Sequence, residues 1–501
     1  CSGSGVIVQL ARNFRAPAAL VFLEEESILT LGSIIAKMLF GRNIAILRVT
    51  RDTYHALAKA KTAKLSNKTL FFSRHRVKLK EPDLNSLKLS KKDRDMLMGS
   101  YGPAPQIAMQ TICLIAAVQG ANDLINVSRA HIDGCILAHD ANLEFAEKMY
   151  HLGAKTVIPT TINSISVDRE EWRSKDSIPH FENKACRLAD AYVGMGAEPT
   201  FTCAPYLLED LPSRGEAIGW SESNAVIFAN SILGARTQKL PDYLDLFVAI
   251  TGRVPRSGVY LAENRIPDCE VYVRLPNEFD DSLWAMIGWL TGAKSPNGIP
   301  LITGLESLSP SFDNLKALCA AFGTTSAAPM LQIRGHTPDS SVRSSSLSKT
   351  FEISIKELLQ LWKNFNTGRI QVDLVAIGSP HASCSECLTF LEHLDGKACN
   401  KATKTIVTLG REQLAKAEQQ NILKRLSNAG VQVVKDICWC SISEPIFPLD
   451  TSVIMTNSGK YAHYGKGLTG RDIRFGSLRD CAIASYSGLA RSGAPRWLLQ
   501  K

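Results

Sequence analysis

The sequence has few aromatic residues, no strong excess of charge and no long apolar run, and each shortage excludes a class of protein. Aromatic side chains make up 7% of the 501 residues, and the net charge of +9 is spread along the chain. Dilute basic charge without interleaved aromatic residues argues against nucleic-acid binding. The longest apolar stretch, around residues 112–118, is too short to span a bilayer. We therefore expect neither a nucleic-acid partner nor a membrane.

Cysteine is also scarce for a disulfide-bonded protein. The chain has 13 cysteines, an odd number, and opens CSGSGVIVQL without the basic and apolar segments of a secretory signal. These features predict a reducing compartment, in which the cysteines are free thiols or metal ligands. We expect the cytoplasm, and the mitochondrial matrix stays an alternative because the chain does not begin with Met. The oligomeric state is left open.

Short Val- and Ile-rich runs alternate with helical segments through most of the chain. We predict strands at 124–127, 155–159, 200–202, 372–377, 405–408, 431–434 and 453–455, and helices at 33–40, 105–118, 142–152, 183–193 and 411–429. This alternation predicts an α/β fold with mostly parallel sheets flanked by helices. The Lys- and Arg-rich segment 59–92 is interpreted as a solvated linker, with a polyanion-binding patch as the alternative. The Ser-rich residues 335–350 are predicted to be a flexible loop.

Six polar clusters each follow a predicted strand. They are HIDGC at 131–135, TTIN at 160–163, TCAPY at 202–206, GSPH at 378–381, DIC at 436–438 and TNSGK at 456–460. Any single cluster can be ordinary turn chemistry. Ligands of open α/β sheets, however, bind beyond the carboxyl ends of the strands, where all six clusters are expected to lie. The pattern therefore predicts a small-molecule site.

Two cysteines fall within these clusters. Cys203 and Cys438 have polar neighbours and follow strands, which suits thiolate ligands of iron or of an iron–sulfur centre, with zinc as the alternative. Cys384 and Cys387 form a single C-x-x-C pair, which without a second pair favours a structural role.

Other side chains are candidates for substrate contact or proton transfer. Residues 222–224 (Glu-Ser-Asn) begin a predicted helix, where an ordinary capped terminus is the simpler explanation. Lys460 lies beside Gly459 and suits a carboxylate, with an exposed surface lysine as the alternative. His131 and His381 follow strands and can orient a substrate or transfer a proton, although a structural role is equally common for such histidines.

Nine runs of sequence match one known family in order. They are LMGSYGPAPQIAM, HIDGC, PTTINS, TCAPYL, GEAIGWSESNAVIFANSILGART, ITGRVPRSGVYLAENR, IGSPHAS, VVKDIC and TNSGKYAHY, across residues 89–485. Together they resemble the aconitase X family, hydro-lyases distantly related to aconitase. The resemblance implies an aconitase-like α/β fold with a large multi-lobed domain at 89–501, whose C-terminal α/β lobe spans 370–490. Residues 1–72 resemble the C-terminal portion of the family's small swivel domain, joined through a basic linker at 73–88.

The resemblance also implies an iron centre. The family's cluster ligands fall here on Cys203, Ser379 and Cys438. A serine cannot replace a thiolate in a three-cysteine [4Fe–4S] site without changing the cluster. Ser379 therefore favours the family branch of fused cis-3-hydroxy-L-proline dehydratases and a smaller centre, [2Fe–2S] or mononuclear iron. Cys135 is the candidate for an additional ligand, followed by Cys384.

The substrate contacts implied by the family match the turns and helix starts described above. They fall on Gly134, Cys135, Ile136, Asn163, Ser164, Glu222, Ser223, Ser379 and Lys460. In the family the base is a serine of the swivel loop, by analogy to aconitase. This chain starts one residue after that position, so Ser4 is the matching serine that remains, with Ser2 nearby. Ser4, Glu222 and Lys460 are the expected catalytic residues.

The resemblance thus predicts an iron-dependent hydro-lyase. The expected reaction removes water from cis-3-hydroxy-L-proline to give Δ1-pyrroline-2-carboxylate, with iron as the Lewis acid on the leaving hydroxide. One alternative, mevalonate-5-phosphate dehydration, needs a phosphate site and a third cysteine at position 379. The other is a catalytically degenerate protein that only binds a small molecule, which the missing swivel-loop serine favours.

Overall fold

The computed structural model of the protein describes residues 3–169, 179–340, 347, 349–442 and 446–499. In these residues, helices alternate with short strands, and the larger sheets are entirely parallel. The predicted α/β class is confirmed. No helix in the described ranges is both long enough and apolar enough to cross a bilayer.

The N-terminal region packs on the rest of the chain through its first two helices. Its elements are α1 (Gly3–Arg12), β1 (Ala19–Phe22), α2 (Ile28–Phe40), β2 (Ala45–Arg48), α3 (Arg51–Ala58), β3 (Ala63–Ser66), β4 (Thr69–Phe72) and β5 (His75–Lys78). Ile7 and Val8 of α1 are buried against apolar residues of α2. The antiparallel sheet β3–β4–β5 lies within the segment predicted to be a linker. Its strands are held together because Leu70 and Phe72 enter a small apolar core, while its Lys and Arg side chains face solvent.

The next region surrounds a short parallel sheet. Its elements are α4 (Lys91–Leu97), α5 (Pro103–Val118), β6 (Leu124–Asn126), β7 (Ala130–Ile132), α6 (Asp140–His151), β8 (Thr160–Ile162), α7 (Pro179–Gly194), β9 (Gly219–Trp220), α8 (Ser223–Phe228), α9 (Leu244–Thr251) and β10 (Arg253–Pro255). β7 lies between β8 and β9. The strand predicted at 155–159 is displaced to β8, because Thr160–Ile162 are the residues that pair with β7. Residues 200–202 do not form a strand, although Thr202 donates a backbone hydrogen bond to Ile162 at 3.2 Å.

Two further parallel sheets follow. The first contains β11 (Cys269–Val273), α10 (Ser282–Lys294), β12 (Pro300–Thr303), α11 (Phe312–Thr325), β13 (Gln332–Ile333), β14 (Thr350–Ile353) and α12 (Ile355–Phe365), in the strand order β13–β12–β11–β14. Of the predicted flexible loop at 335–350, residues 341–346 and 348 lie outside the described residues, and Thr350 already belongs to β14.

In the last sheet, three of its strands are followed by the polar clusters GSPH, DIC and TNSGK. Its elements are β15 (Leu374–Ile377), α13 (Cys384–Leu394), β16 (Lys404–Leu409), α14 (Arg411–Gln419), α15 (Ile422–Asn428), β17 (Gln432–Lys435), β18 (Val453–Thr456), α16 (Gly459–Thr469), β19 (Asp472–Phe475) and α17 (Leu478–Ser487). In the order β17–β16–β15–β18–β19, the chain first adds strands on one side of β15 and then on the other. The point at which the order of the strands reverses lies between β15 and β18, and ligand sites of open sheets form at such a point. The single helix predicted at 411–429 is two helices, because Asn421 adopts a left-handed conformation (φ 57°) between them.

Candidate active site and metal centre

A cavity of about 370 Å³ collects side chains from every region of the fold. Five of the predicted substrate contacts line it, namely Gly134, Ile136, Glu222, Ser223 and Lys460. The cavity also contains residues that were not predicted, including Gly5, Asp133, Asn142, Asp242 and Cys440. Residues of the HIDGC and TNSGK clusters thus line one cavity, and Asn163 of the TTIN cluster contacts its wall through Glu222.

Glu222 and Lys460 form an ion pair in the cavity wall. Lys460 Nζ lies 2.9 Å from Glu222 Oε1, and the two side chains are 11% and 12% exposed. Burial alone would raise the pKa of Glu222, but the charge of Lys460 and its hydrogen bond outweigh burial and hold the pKa well below its usual range. Asn224 and Asn163 also donate to this carboxylate, at 2.5 and 3.2 Å. Lys460 and the two asparagine amides therefore favour the charged form of Glu222.

Asp133 is a second carboxyl group beside Glu222, and its surroundings favour the protonated form. Burial and the adjacent Glu222 charge raise the pKa of Asp133 well above its ordinary value, and the two carboxyl groups are hydrogen-bonded to each other. Asn163 Nδ2 donates to Asp133 Oδ1, and the backbone N–H of Asp133 donates to Asp245 Oδ2 at 2.7 Å. The cavity wall thus holds a carboxylic acid next to a carboxylate, which is an arrangement suited to proton transfer.

Three cysteine thiols meet beside the cavity. The Cys438 thiol is hydrogen-bonded to the thiols of Cys203 and Cys440. The contact with Cys203 raises the pKa of Cys438, and the contact with Cys438 raises the pKa of Cys440. The backbone N–H of His381 donates to Cys203 Sγ at 3.3 Å. Lys460 acts electrostatically on both Cys438 and Cys440.

The three thiols are chemically suited to bind iron, although they are not arranged with the geometry of a metal site. In the part of the chain that the structure describes, no group of three or more His, Cys, Asp and Glu side chains has the arrangement of a metal site. Two buried thiols, Cys203 and Cys438, and the half-buried thiol of Cys440 are nevertheless the soft donors that iron and iron–sulfur groups use. Cys203 and Cys438 are brought together as the sequence predicts, and Cys440 joins them.

Several predicted residues lie elsewhere. The Ser4 hydroxyl is buried and donates to the Ile28 carbonyl at 2.8 Å, while the adjacent Gly5 lines the cavity. Ser2 lies outside the described residues. Cys135 is buried beneath the turn that it belongs to, with its thiol directed to the Ile132 carbonyl at 3.3 Å.

Ser379, Ser164 and Cys384 are also not part of the described cavity lining. Ser379 lines a neighbouring cavity of about 280 Å³, and its hydroxyl has no hydrogen-bond partner among the described residues. Ser164 is buried and supports Asn163 through a hydrogen bond of 3.3 Å between its hydroxyl and the amide oxygen. The Cys384 thiol donates to the Gln413 carbonyl at 3.3 Å.

The two histidines that follow strands are buried within hydrogen-bond networks. Burial lowers the pKa of His131 and of His381 to about 4, so both rings are neutral near pH 7. His131 Nδ1 lies 2.8 Å from Thr161 Oγ1. His381 Nε2 donates to the Ile437 carbonyl at 2.8 Å, and its Nδ1 lies 3.3 Å from Thr202 Oγ1. His381 therefore holds the backbone at Ile437, whereas His131 contacts the side chain of Thr161.

Some of the unpredicted residues had a signal in the sequence. Cys440 follows Cys438 by two positions in DICWC, so a second thiol in the same turn was visible. Asp133 lies inside the HIDGC cluster. Asp242, by contrast, belongs to the run PDYLD, which carries no motif that separates it from a surface turn.

Comparison with known proteins places the chain. Models of the aconitase X swivel, first, second and third domains match residues 1–72, 86–263, 267–363 and 372–487. A crystal structure of the holo-form of Thermococcus kodakaraensis aconitase X superposes with a TM-score of 0.72 and 29% identity, covering 80% of this chain and 100% of that one.

Curated relatives agree with these matches. Cis-3-hydroxy-L-proline dehydratases of Hypocrea jecorina and Pseudomonas aeruginosa are 38% and 39% identical to this chain, covering 99% of it and 87% and 88% of their own lengths. The phosphomevalonate dehydratase large subunit of Methanocaldococcus jannaschii is 32% identical and covers 78% of this chain and 98% of its own. Domain models, relatives and fold all agree with the resemblance seen in the sequence: the chain belongs to the aconitase X family.

Proposed function

We propose that this chain is a dehydratase that converts cis-3-hydroxy-L-proline into Δ1-pyrroline-2-carboxylate. The observation that carries the proposal is the charge of the cavity. Among the described residues that line it, the carboxyl groups of Asp133, Glu222 and Asp242 stand against a single lysine, Lys460. A cavity with more acidic than basic groups favours a ligand that carries an ammonium group, and it repels a phosphate. The two relatives that match nearly the whole chain bear this activity in their names.

The carboxylate and the ring ammonium of the substrate suit the basic and the acidic side of the cavity, respectively. Lys460 is the cation for the substrate carboxylate, although it already pairs with Glu222. The ring ammonium suits the side of the cavity where the carboxyl group of Asp242 lies.

The reaction needs a proton acceptor at Cα and a proton donor for the leaving hydroxide. Removal of the Cα proton and departure of the 3-hydroxyl form the Cα–Cβ double bond of an enamine and release water. The enamine then loses its N–H proton and gains one at Cβ, which gives the C=N bond of the product. Asp133, whose carboxyl group is hydrogen-bonded to Glu222 and has a raised pKa, is the group that supplies a proton to the leaving hydroxide.

The base stays a prediction from the family. Ser4 is the matching serine, and its hydroxyl donates to the Ile28 carbonyl, so it must exchange that partner before it accepts a proton. Gly5, next to it, lines the cavity, so this turn of α1 borders the proposed substrate site.

Cys203, Cys438 and Cys440 would hold the iron group, which we propose to be a [2Fe–2S] cluster or a single iron. When bound, it supplies Lewis acidity for a hydroxide that is otherwise a poor leaving group. Two side chains of the protein, Lys460 and Asn224, support the departure of the hydroxide. Lys460 keeps positive charge beside the thiols, and Asn224 joins Glu222 to the Cys203 carbonyl through its side-chain amide.

Turnover of cis-3-hydroxy-L-proline by anaerobically purified protein, followed as pyrroline-2-carboxylate, tests the proposal. We expect activity in the unaltered chain, strong loss in Glu222→Gln and Asp133→Asn, and no loss in Glu357→Gln, which alters an ion pair outside the cavity. Iron-loaded protein that is inactive on this substrate contradicts the proposal. Activity on mevalonate 5-phosphate would favour the alternative dehydratase, and tight binding without turnover of either compound would favour a binding protein.

A further inference from the structure

The two cysteine-bearing loops have the same unusual backbone feature. Phe201 precedes Cys203 by two residues and has φ 40°, and Asp436 precedes Cys438 by two residues and has φ 67°. Left-handed conformations cost residues other than glycine about 1–3 kcal/mol and persist where their surroundings enforce them. Something outside each loop must therefore hold these turns.

Arg411, the first residue of α14, contacts both turns. Its Nε and Nη2 each lie 2.7 Å from one carboxylate oxygen of Asp436, and its guanidinium carbon lies 4.6 Å from the centre of the Phe201 ring. Asp436 is fully buried, and the Arg411 side chain is 32% exposed. Arg169 also approaches the Phe201 ring, at 5.8 Å, but the two-pronged contact to Asp436 belongs to Arg411.

The backbone at Gly410, next to Arg411, packs closely against the loop that contains Thr202 and Cys203. A Cβ at Gly410 would lie 2.7 Å from Thr202 Oγ1, so this position must be a glycine for the loop to approach the helix. On the other side, the Asp436 carbonyl accepts from the Ile165 backbone at 2.7 Å. The two loops are therefore held against a common frame whose central side chain is Arg411.

We propose that Arg411 is a positioning residue that presets the thiols of Cys203 and Cys438 for the metal group. One planar guanidinium ties the two turns by a bidentate ion pair on one edge and by stacking on its face, a combination that lysine cannot reproduce. Without it, each turn is free to leave its left-handed conformation, and the thiols separate. This inference rests on the iron site proposed above.

Cobalt(II) titration of the metal-free full chain tests the proposal, because thiolate-to-cobalt absorption reports ligation without any turnover. We expect Arg411→Ala and Arg411→Lys to weaken cobalt binding at least tenfold, and low-millimolar guanidinium ion to restore binding in Arg411→Ala. Arg369→Ala is the matched control, since Arg369 also pairs with both oxygens of one aspartate, Asp373, but on the surface. It should bind cobalt like the unaltered chain.

Three results would overturn the proposal. They are unchanged cobalt binding in Arg411→Ala, a loss that guanidinium does not restore although circular dichroism shows a folded protein, and an equal loss in Arg369→Ala. Cys203→Ala separates this proposal from the metal assignment. If that variant binds cobalt like the unaltered chain, the thiol site itself is wrong. If Cys203→Ala loses cobalt and Arg411→Ala does not, only the role of Arg411 fails.

Discussion

A buried lysine that joins two sheets of the protein allows a sharp prediction about stability. Lys316 of α11 lies 2.9 Å from Asp313 and 2.6 Å from Glu386 of α13, and its side chain is 4% exposed. It also donates to the His381 carbonyl at 3.4 Å. Burial opposes the charge of Lys316, but its two carboxylates outweigh burial and raise its pKa, while Lys316 lowers the pKa of Asp313.

Replacement of Lys316 by Met keeps the volume and removes the charge. Removing one partner of a buried ion pair typically costs about 3–5 kcal/mol. A second estimate comes from protonation: neutralising one stranded carboxylate, with an ordinary pKa near 4, costs about 1.4 kcal/mol per pH unit, or about 4 kcal/mol at pH 7. The two estimates agree, so we expect Lys316→Met to lower the free energy of unfolding by about 4 kcal/mol at pH 7.

The loss must depend on pH in a defined direction. In the variant, the folded-state pKa of the stranded carboxylates exceeds the unfolded one, so the deficit grows as pH rises above about 4. In the unaltered chain the pKa of Asp313 is lowered, so its contribution is present above the unfolded pKa and disappears as pH falls through the folded one. At pH 5 the deficit should therefore shrink to about 1–2 kcal/mol.

Urea unfolding at pH 7 and pH 5, followed by tryptophan fluorescence, measures both quantities. Lys294→Met is the control, because Lys294 pairs with Glu357 at 2.5 Å but their side chains are 19% and 39% exposed. That variant should lose less than about 1 kcal/mol. The reasoning is refuted if Lys316→Met costs no more than the control, or if its deficit is the same at both pH values.

Three further predictions concern the site and its surroundings. Cys440→Ala should lower the iron bound per chain in a colorimetric iron assay, whereas Cys319→Ala, which removes a thiol buried in the apolar core, should not. Lys460→Met should raise KM for cis-3-hydroxy-L-proline about 10- to 100-fold in steady-state assays, because a charge-assisted hydrogen bond contributes about 1.5–3 kcal/mol; an unchanged KM would exclude a carboxylate contact. Burial raises the pKa of Asp281 to about 7, so the unaltered chain should lose unfolding free energy between pH 4 and pH 7, and Asp281→Asn should lose less over the same range in urea titrations.

The sequence predicts the class of fold well and the limits of its elements less well. Alternating Val- and Ile-rich runs indicate parallel sheets because a strand buried on both faces leaves no polar side. The limits of a strand also depend on its partner strand, which the local sequence does not specify. The displaced strand at Thr160–Ile162 is an example, because its position is set by pairing with Ala130–Ile132 of a distant segment. The break at Asn421 is equally invisible to hydrophobic spacing, because it lies in the backbone conformation of one residue.

The candidate site was predicted in pieces. Glu222 and Lys460 were each weighed against ordinary structural explanations, and neither sequence context shows that the two side chains pair at 2.9 Å. Cys203 and Cys438 were grouped by their position after strands, and Cys440 was missed because it stands two residues beyond that position. For Ser4, the family motif identifies the residue but not its surroundings. Its hydrogen bond to the Ile28 carbonyl depends on how α1 packs on α2, which the motif does not show.

The cavity draws on the chain from Gly5 near its start to Leu468 near its end, and this has a consequence for biosynthesis. A ribosome releases Cys203 long before it has made Cys438 and Cys440, so a growing chain carries only one of the three thiols of the proposed iron site. Insertion of the proposed iron group must therefore wait until the last sheet has folded. Chains that stop before residue 438 should emerge without iron, and iron supply should limit maturation of finished protein rather than its synthesis.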